Sequence, residues 1–239
     1  MKKQLALILI GFTLLSQAAD QTNNPTNPAP STASASAPAV ETLVCIRHGE
    51  KPRLGLGQLT CRGLNRALAL PQVLLAKYGN PQFVFAPNPT QKVDGKQGYY
   101  YVRPLATIEP TAIRCGLPVN TQFGYKEIKE LGKALQQPEY HRATIFIAWE
   151  HGLLDGFAKQ EVKRYGGDPA QVPEWPGKDY DTIFVLKITR SNDVASVVFT
   201  VDHENLNNLS DEYPHVAPAT PPAGRPVNFR PSRLCPRPF

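Results

Sequence analysis

Cysteine is scarce in this 239-residue chain: the four, Cys45, Cys61, Cys115 and Cys235, nowhere stand at zinc-site spacing, which argues against a thiolate metal centre. No segment repeats itself, so a solenoid or propeller is excluded. A dense basic stripe with interleaved aromatics is also missing. The 26 basic and 20 acidic side chains, net +6, are spread along the chain. That excess fits an anionic substrate and is too diffuse for nucleic acid. The apolar run at 5–15 is too short to span a bilayer comfortably.

What the amino terminus does contain is the pattern of an export signal. Lys2 and Lys3 precede the apolar run, and Ser16-Gln17-Ala18-Ala19 offers small residues for cleavage. No cysteine follows that point, so a lipid-modified terminus is not indicated. Residues 1–19 are expected to be removed, leaving an exported chain, most simply periplasmic, without stable membrane insertion. Without Lys2 and Lys3 the balance is 24 basic to 20 acidic, or +4. Residues 20–40 hold almost no large apolar side chain and read as a disordered linker. From 211 to 239 the chain is proline-rich, which excludes helix and interior strand and predicts a loose tail or a surface arm. Residues 41–210 are long enough for one domain with a sizeable core. Export permits disulfides, and the sequence does not choose the pairing. Cys45 reads equally as a core hydrophobe, while a bridge from Cys235 to Cys61 or Cys115 would tie the tail down.

Strands are expected at 43–46, 83–86 and 144–148, with a final pair at 182–188 and 195–201 joined by a turn at 190–193. Helices are expected at about 62–78, capped by Thr60, at 104–115, 125–136 and 153–165. The stretch 87–101 reads as a loop. Alternating strands and helices predict an α/β domain whose mostly parallel sheet is covered on both faces.

The chemistry lies at two strand ends. Arg47-His48-Gly49-Glu50 follows the first strand, and Trp149-Glu150-His151-Gly152 follows the strand at 144–148. Parallel strands deliver their carboxyl ends to one edge, where open α/β sheets bind ligands. Two histidines distant in sequence therefore converge there. A neutral imidazole is a competent nucleophile, and a guanidinium fork matches two phosphate oxygens, so the pattern points to phosphoryl transfer through a phosphohistidine.

Four segments in order then resemble the histidine phosphatase superfamily: residues 43–50; Leu59-Thr60-Cys61-Arg62-Gly63 with Ala67; Arg103-Pro104-Leu105-Ala106-Thr107; and residues 149–152. The resemblance, over about 42–165, implies a three-layer α/β/α fold of the phosphoglycerate mutase type. It also implies His48 as the phosphorylated nucleophile, with Arg47, Arg103 and His151 around the phosphoryl group and no metal or cofactor. A leaving alkoxide needs a proton. Glu150 is nearest to the site by sequence, and Glu127 and Glu130 fall within the range the mutase branch uses. Tyr99-Tyr100-Tyr101, just before Arg103, reads either as a stacking wall or as a packed loop, and His203 and His215 read as surface residues. The leading expectation is an exported, metal-independent phosphomonoester hydrolase with a small phosphorylated substrate. The alternative is a module of the same fold that binds a phosphorylated ligand without turning it over.

Overall fold

A computed structural model describes residues 37–191 and 194–214. The expected signal, most of the linker and the bulk of the proline-rich tail lie outside those residues, and so does His215. A six-stranded sheet forms the middle layer. It comprises β1 (Ala39–Arg47), β2 (Phe83–Phe85), β5 (Val119–Asn120), β6 (Thr144–Trp149), β7 (Thr182–Ser191) and β8 (Val194–His203), in the order β5-β2-β6-β1-β7-β8. The pairings β2–β5, β2–β6 and β1–β6 are parallel, while β7 and β8 close one side antiparallel. β3 (Lys92–Val93) and β4 (Tyr99–Tyr100) form a separate short hairpin inside the expected loop.

The central strands are apolar without alternation because both faces are covered. Leu43 and Cys45 of β1 face a core with Ile145 and Ile147, Ile128 and Leu131 of α3 (Ile128–Ala134), and Leu154, Phe157 and Val162 of α4 (His151–Arg164). Val44 and Ile46 face the opposite core, with Phe146, Leu70 and Leu74 of α1 (Cys61–Tyr78), and Ile108 of α2 (Arg103–Cys115). Each such fully buried Leu, Ile or Phe contributes about 1.5–3 kcal/mol relative to an exposed one. Cys45 is a free thiol inside this core, Cys115 is also free, and Cys61 is disulfide-bonded. Among the described residues no helix is long and apolar enough to cross a membrane.

Thr60 caps α1 as its sequence implies, its hydroxyl accepting the Gly63 amide at 3.1 Å. Three elements differ from expectation. α4 begins at His151 rather than 153, because the Glu150 carboxylate caps it by accepting the Leu153 amide at 2.9 Å. α3 starts only at Ile128, since Glu127 spends its carboxylate on the Gly124 amide in the preceding turn. The final hairpin is longer than its apolar pattern, with Arg190 and Ser191 still in register with Ala195 and Val194. β8 is an edge strand with largely exposed side chains, so hydrophobicity does not mark its ends.

Candidate active site

The parallel register places Arg47 opposite Trp149, and the His48 amide donates to the Trp149 carbonyl at 3.0 Å. The two motifs therefore leave the sheet side by side. Arg47, His48, Lys51, Asp94, Tyr101, Arg103, Tyr125, Glu150 and His151 line one cavity of about 240 Å³. The Arg103 segment is fastened to the first of these motifs through Thr107. Its hydroxyl accepts the Gly49 amide at 2.9 Å and donates to the Arg103 carbonyl at 2.8 Å. This explains why a threonine follows the arginine by four residues: the spacing returns its side chain to the previous helical turn.

Glycine is required where α1 docks on the end of β1. A Cβ on Gly63 would stand 2.5 Å from the Glu50 carbonyl oxygen and 2.9 Å from its nitrogen, both backbone atoms that cannot swing aside. Gly63→Ala is therefore expected to cost about 1–3 kcal/mol, read as a lowered Tm, and to reduce activity by displacing the His48 loop. A mutant as stable as the parent would show that the backbone there yields freely.

His48 is 2 % exposed. Its Nδ1 lies 2.8 Å from the Gly49 carbonyl, which can only accept, so Nδ1 carries the proton and Nε2 keeps its lone pair. Burial first, then the charges of Arg103 and Arg47, push its pKa down to about 3. The ring is thus neutral and nucleophilic in weak acid and at neutrality. Tyr101 meets it edge to face, with centroids 6.0 Å apart.

The two guanidiniums are held in the same manner. Arg47 lies 3.8 Å over the Tyr180 ring and donates through Nη1 to the carbonyls of Gly177 and Asp179, at 2.9 and 2.7 Å. Arg103 donates through Nη1 to the Gly55 carbonyl at 3.3 Å and to Asp94 Oδ2 at 2.6 Å. In both, the buried Nε has no hydrogen-bond partner among the described residues. A buried donor left unpaired is costly, so an acceptor brought to either Nε would be bound there. The unused edge of a guanidinium, Nε with Nη2, is the edge that grips two oxygens at once.

His151 Nδ1 stands 2.6 Å from Glu150 Oε1. Burial alone would raise the Glu150 carboxyl, but His151 and the Leu153 and Gly152 amides hold it down to about 2. The sequence offers Glu150 as a proton donor; in the structure one carboxylate oxygen accepts the Leu153 amide and the other stands against His151 Nδ1. Glu127 and Glu130 do not line the cavity: the former holds the Gly124 amide and the latter pairs with Lys133 at the surface. Tyr101 is buried beside the site, whereas Tyr99 and Tyr100 are exposed. Asp94, Tyr180 and the carbonyls of Gly177 and Asp179 had no sequence signal, because loops without regular periodicity bring them in. Among the described residues no group of three or more His, Cys, Asp or Glu side chains is arranged to hold a metal ion.

No family model matches the chain, and no curated protein matches it in sequence. Solved structures do resemble it. A mycobacterial glucosyl-3-phosphoglycerate phosphatase is 15% identical with a TM-score of 0.47, over 68% of this chain and 97% of that one. A phosphoglycerate mutase from Plasmodium falciparum is 12% identical with a TM-score of 0.46, over 68% and 89%. A Bacillus anthracis phosphoglycerate mutase is 13% identical with a TM-score of 0.39, over 67% and 92%. These neighbours belong to the histidine phosphatase superfamily, which the motifs resemble. The fold is α/β, with helices on both faces of a six-stranded, largely parallel sheet. At such identities the likeness carries no substrate and no reaction, and the chemistry rests on the cavity.

Proposed function

We propose that the protein is an exported, metal-independent phosphomonoester hydrolase that works through a phosphohistidine at His48. One observation carries this reading: two buried guanidiniums, each tethered through Nη1 and unpartnered at Nε among the described residues, line one cavity with an imidazole whose free nitrogen is Nε2. A phosphoryl group set between them meets fixed positive donors on its nonbridging oxygens and a lone pair at phosphorus. Phosphoryl transfer is mostly positioning and charge stabilisation, and preorganised donors are worth about a hundredfold to a thousandfold each. His151, at the start of α4, supplies a further donor to the same oxygens. The signal-like residues 1–19 support export, and the +4 balance of the remaining chain suits a small anionic substrate.

Glu150 acts here by orienting His151. Glu150→Gln keeps an oxygen for the Leu153 amide but removes the charge beside His151. Its kcat is expected to fall by about tenfold to a hundredfold with little change in Tm. Because Glu150 is ionised from about pH 2 upward, it adds no limb to the wild-type profile in weak acid. A mutant with wild-type kcat would remove Glu150 from the machinery.

The test is release of inorganic phosphate from an activated aryl monophosphate by the mature chain without added metal. Turnover is the expected result. A folded protein that binds phosphate and turns nothing over would be a phosphate-binding module instead.

A further inference from the structure

An unactivated alkoxide cannot leave without a proton, and only two carboxyls line the cavity among the described residues. Glu150 is committed to His151 and the end of α4. Asp94 is also paired, with Arg103 and the Gly57 amide, but through one oxygen only. It lies in the turn between β3 and β4, with φ of 61°, a left-handed backbone that Asp tolerates better than most residues. The opposing loop makes room for its side chain: a Cβ on Gly55 would fall 2.2 Å from Asp94 Cγ. Oδ2 accepts from Arg103 Nη1 at 2.6 Å and from the Gly57 amide at 3.1 Å. Both bonds fall on one oxygen, so the carboxyl is anchored through Oδ2 and Oδ1 is left to carry a proton.

We propose that Asp94 is the proton shuttle of this site, giving a proton to the leaving oxygen and then taking one from the attacking water; this rests on the phosphohistidine reading above. In the first half-reaction His48 Nε2 forms the P–N bond as the P–O bond to the leaving group breaks. The electron pair goes to the leaving oxygen, which receives the Asp94 proton and departs as an alcohol. In the second, water oxygen bonds to phosphorus while the P–N bond breaks and its electron pair returns to Nε2. The Asp94 carboxylate takes the water proton and is ready again. The sum is monoester plus water giving alcohol plus phosphate.

Lys51, Arg103 and Tyr101 lie near Asp94, and Arg47, His48 and His151 line the same cavity. Burial alone would raise Asp94, but without ligand Arg103, the Gly57 amide and Lys51 hold it below the usual carboxyl range. A phosphate dianion reverses this balance by occupying the free edge of Arg103 and placing like charge in the cavity. The proton arrives with the substrate, since the second ionisation of a phosphomonoester lies near pH ~6.

Asp94→Asn keeps the side-chain shape and the tolerance for left-handed backbone. With glycerol phosphate its kcat/KM is expected to fall by about a hundredfold or more. With p-nitrophenyl phosphate, whose leaving group needs no proton, first-turnover nitrophenol release is expected to fall by less than about tenfold. Equal losses on both substrates, or a gain, would overturn the proposal. A second readout is independent of turnover: tungstate binding, titrated calorimetrically in two buffers of different ionisation heat near pH ~7. The wild type is expected to take up a proton on binding and Asp94→Asn to lose that uptake; identical uptake would overturn the proposal. Tungstate binding without any turnover would sink the phosphatase reading and the shuttle with it, whereas turnover with equal Asp94→Asn losses on both substrates would sink the shuttle alone.

Discussion

His48→Ala releases no measurable phosphate from an aryl monophosphate, a fall on the order of ten-thousandfold or more. The loss is this large because the imidazole forms the bond to phosphorus. Arg47, Arg103 and His151 remain in the mutant, so it still binds phosphate while failing to turn substrate over. The pH profile carries a second consequence. With the His48 pKa pushed down to about 3, the ring is already neutral above that value, so the free enzyme shows no activity limb from this histidine near its ordinary range. Loss of phosphate binding together with activity would mean that His48 holds the pocket open rather than reacting. Phosphate release at the wild-type rate would place the nucleophile elsewhere.

Arg66→Ala unfolds the domain at a temperature well below the wild type. Arg66 is fully buried under the site and binds Glu204 at 2.5 Å, Glu50 at 2.7 Å and the Leu206 carbonyl at 3.2 Å, with Asp181 at 3.6 Å. Among the described residues three carboxyl groups share this guanidinium, which ties α1 to Glu50 of the first motif and to the chain after β8. Removing it leaves Glu50 and Asp181 without their cation and Glu204 without its hydrogen bond, at a cost of about 3–5 kcal/mol. For a domain of this size that is a Tm drop of roughly 6–20 °C, read by calorimetry. A drop of only a degree or two would mean that water or rearrangement replaces the guanidinium.

The same cluster sets a pH dependence in the wild type. Burial, with Asp181 and Glu50 nearby, pushes Glu204 up to about 8 despite Arg66. The folded state therefore holds a proton that the unfolded chain loses near 4.5. Glu204's contribution to stability is full below about 4.5 and is lost as the pH rises through about 8. Denaturation midpoints that climb steadily over that window would contradict this assignment.

The residues that were legible in the sequence share one property: their positions follow from regular structure. Continuous apolar runs mark β1 and β6, strand ends deliver Arg47, His48, Glu150 and His151 to one edge, and a helix start delivers Arg103. Thr60 declared its cap for the same reason. The rest depends on loops. Asp94 reaches Arg103 because a hairpin of two-residue strands and a glycine-lined turn bring it there, and no periodicity announces either. The carbonyls that tether Arg47 come from residues 177 and 179, with Tyr180 beneath the guanidinium, and backbone acceptors leave no mark in sequence. The role of Glu150 turns on electrostatics that the sequence does not display. Proximity to His151 is visible in sequence, whereas the amides of α4 that keep the carboxyl ionised are visible only in three dimensions.

The central claim is a covalent bond between phosphorus and His48. The measurement that tests it most directly is rapid quenching of the wild-type chain during turnover of an aryl monophosphate, followed by mass analysis of the intact protein and its peptides. The expected result is a transient species heavier by one phosphoryl group, located on His48 and absent from His48→Ala. Phosphate release with no such species, or with the phosphoryl group on another residue, would contradict the account.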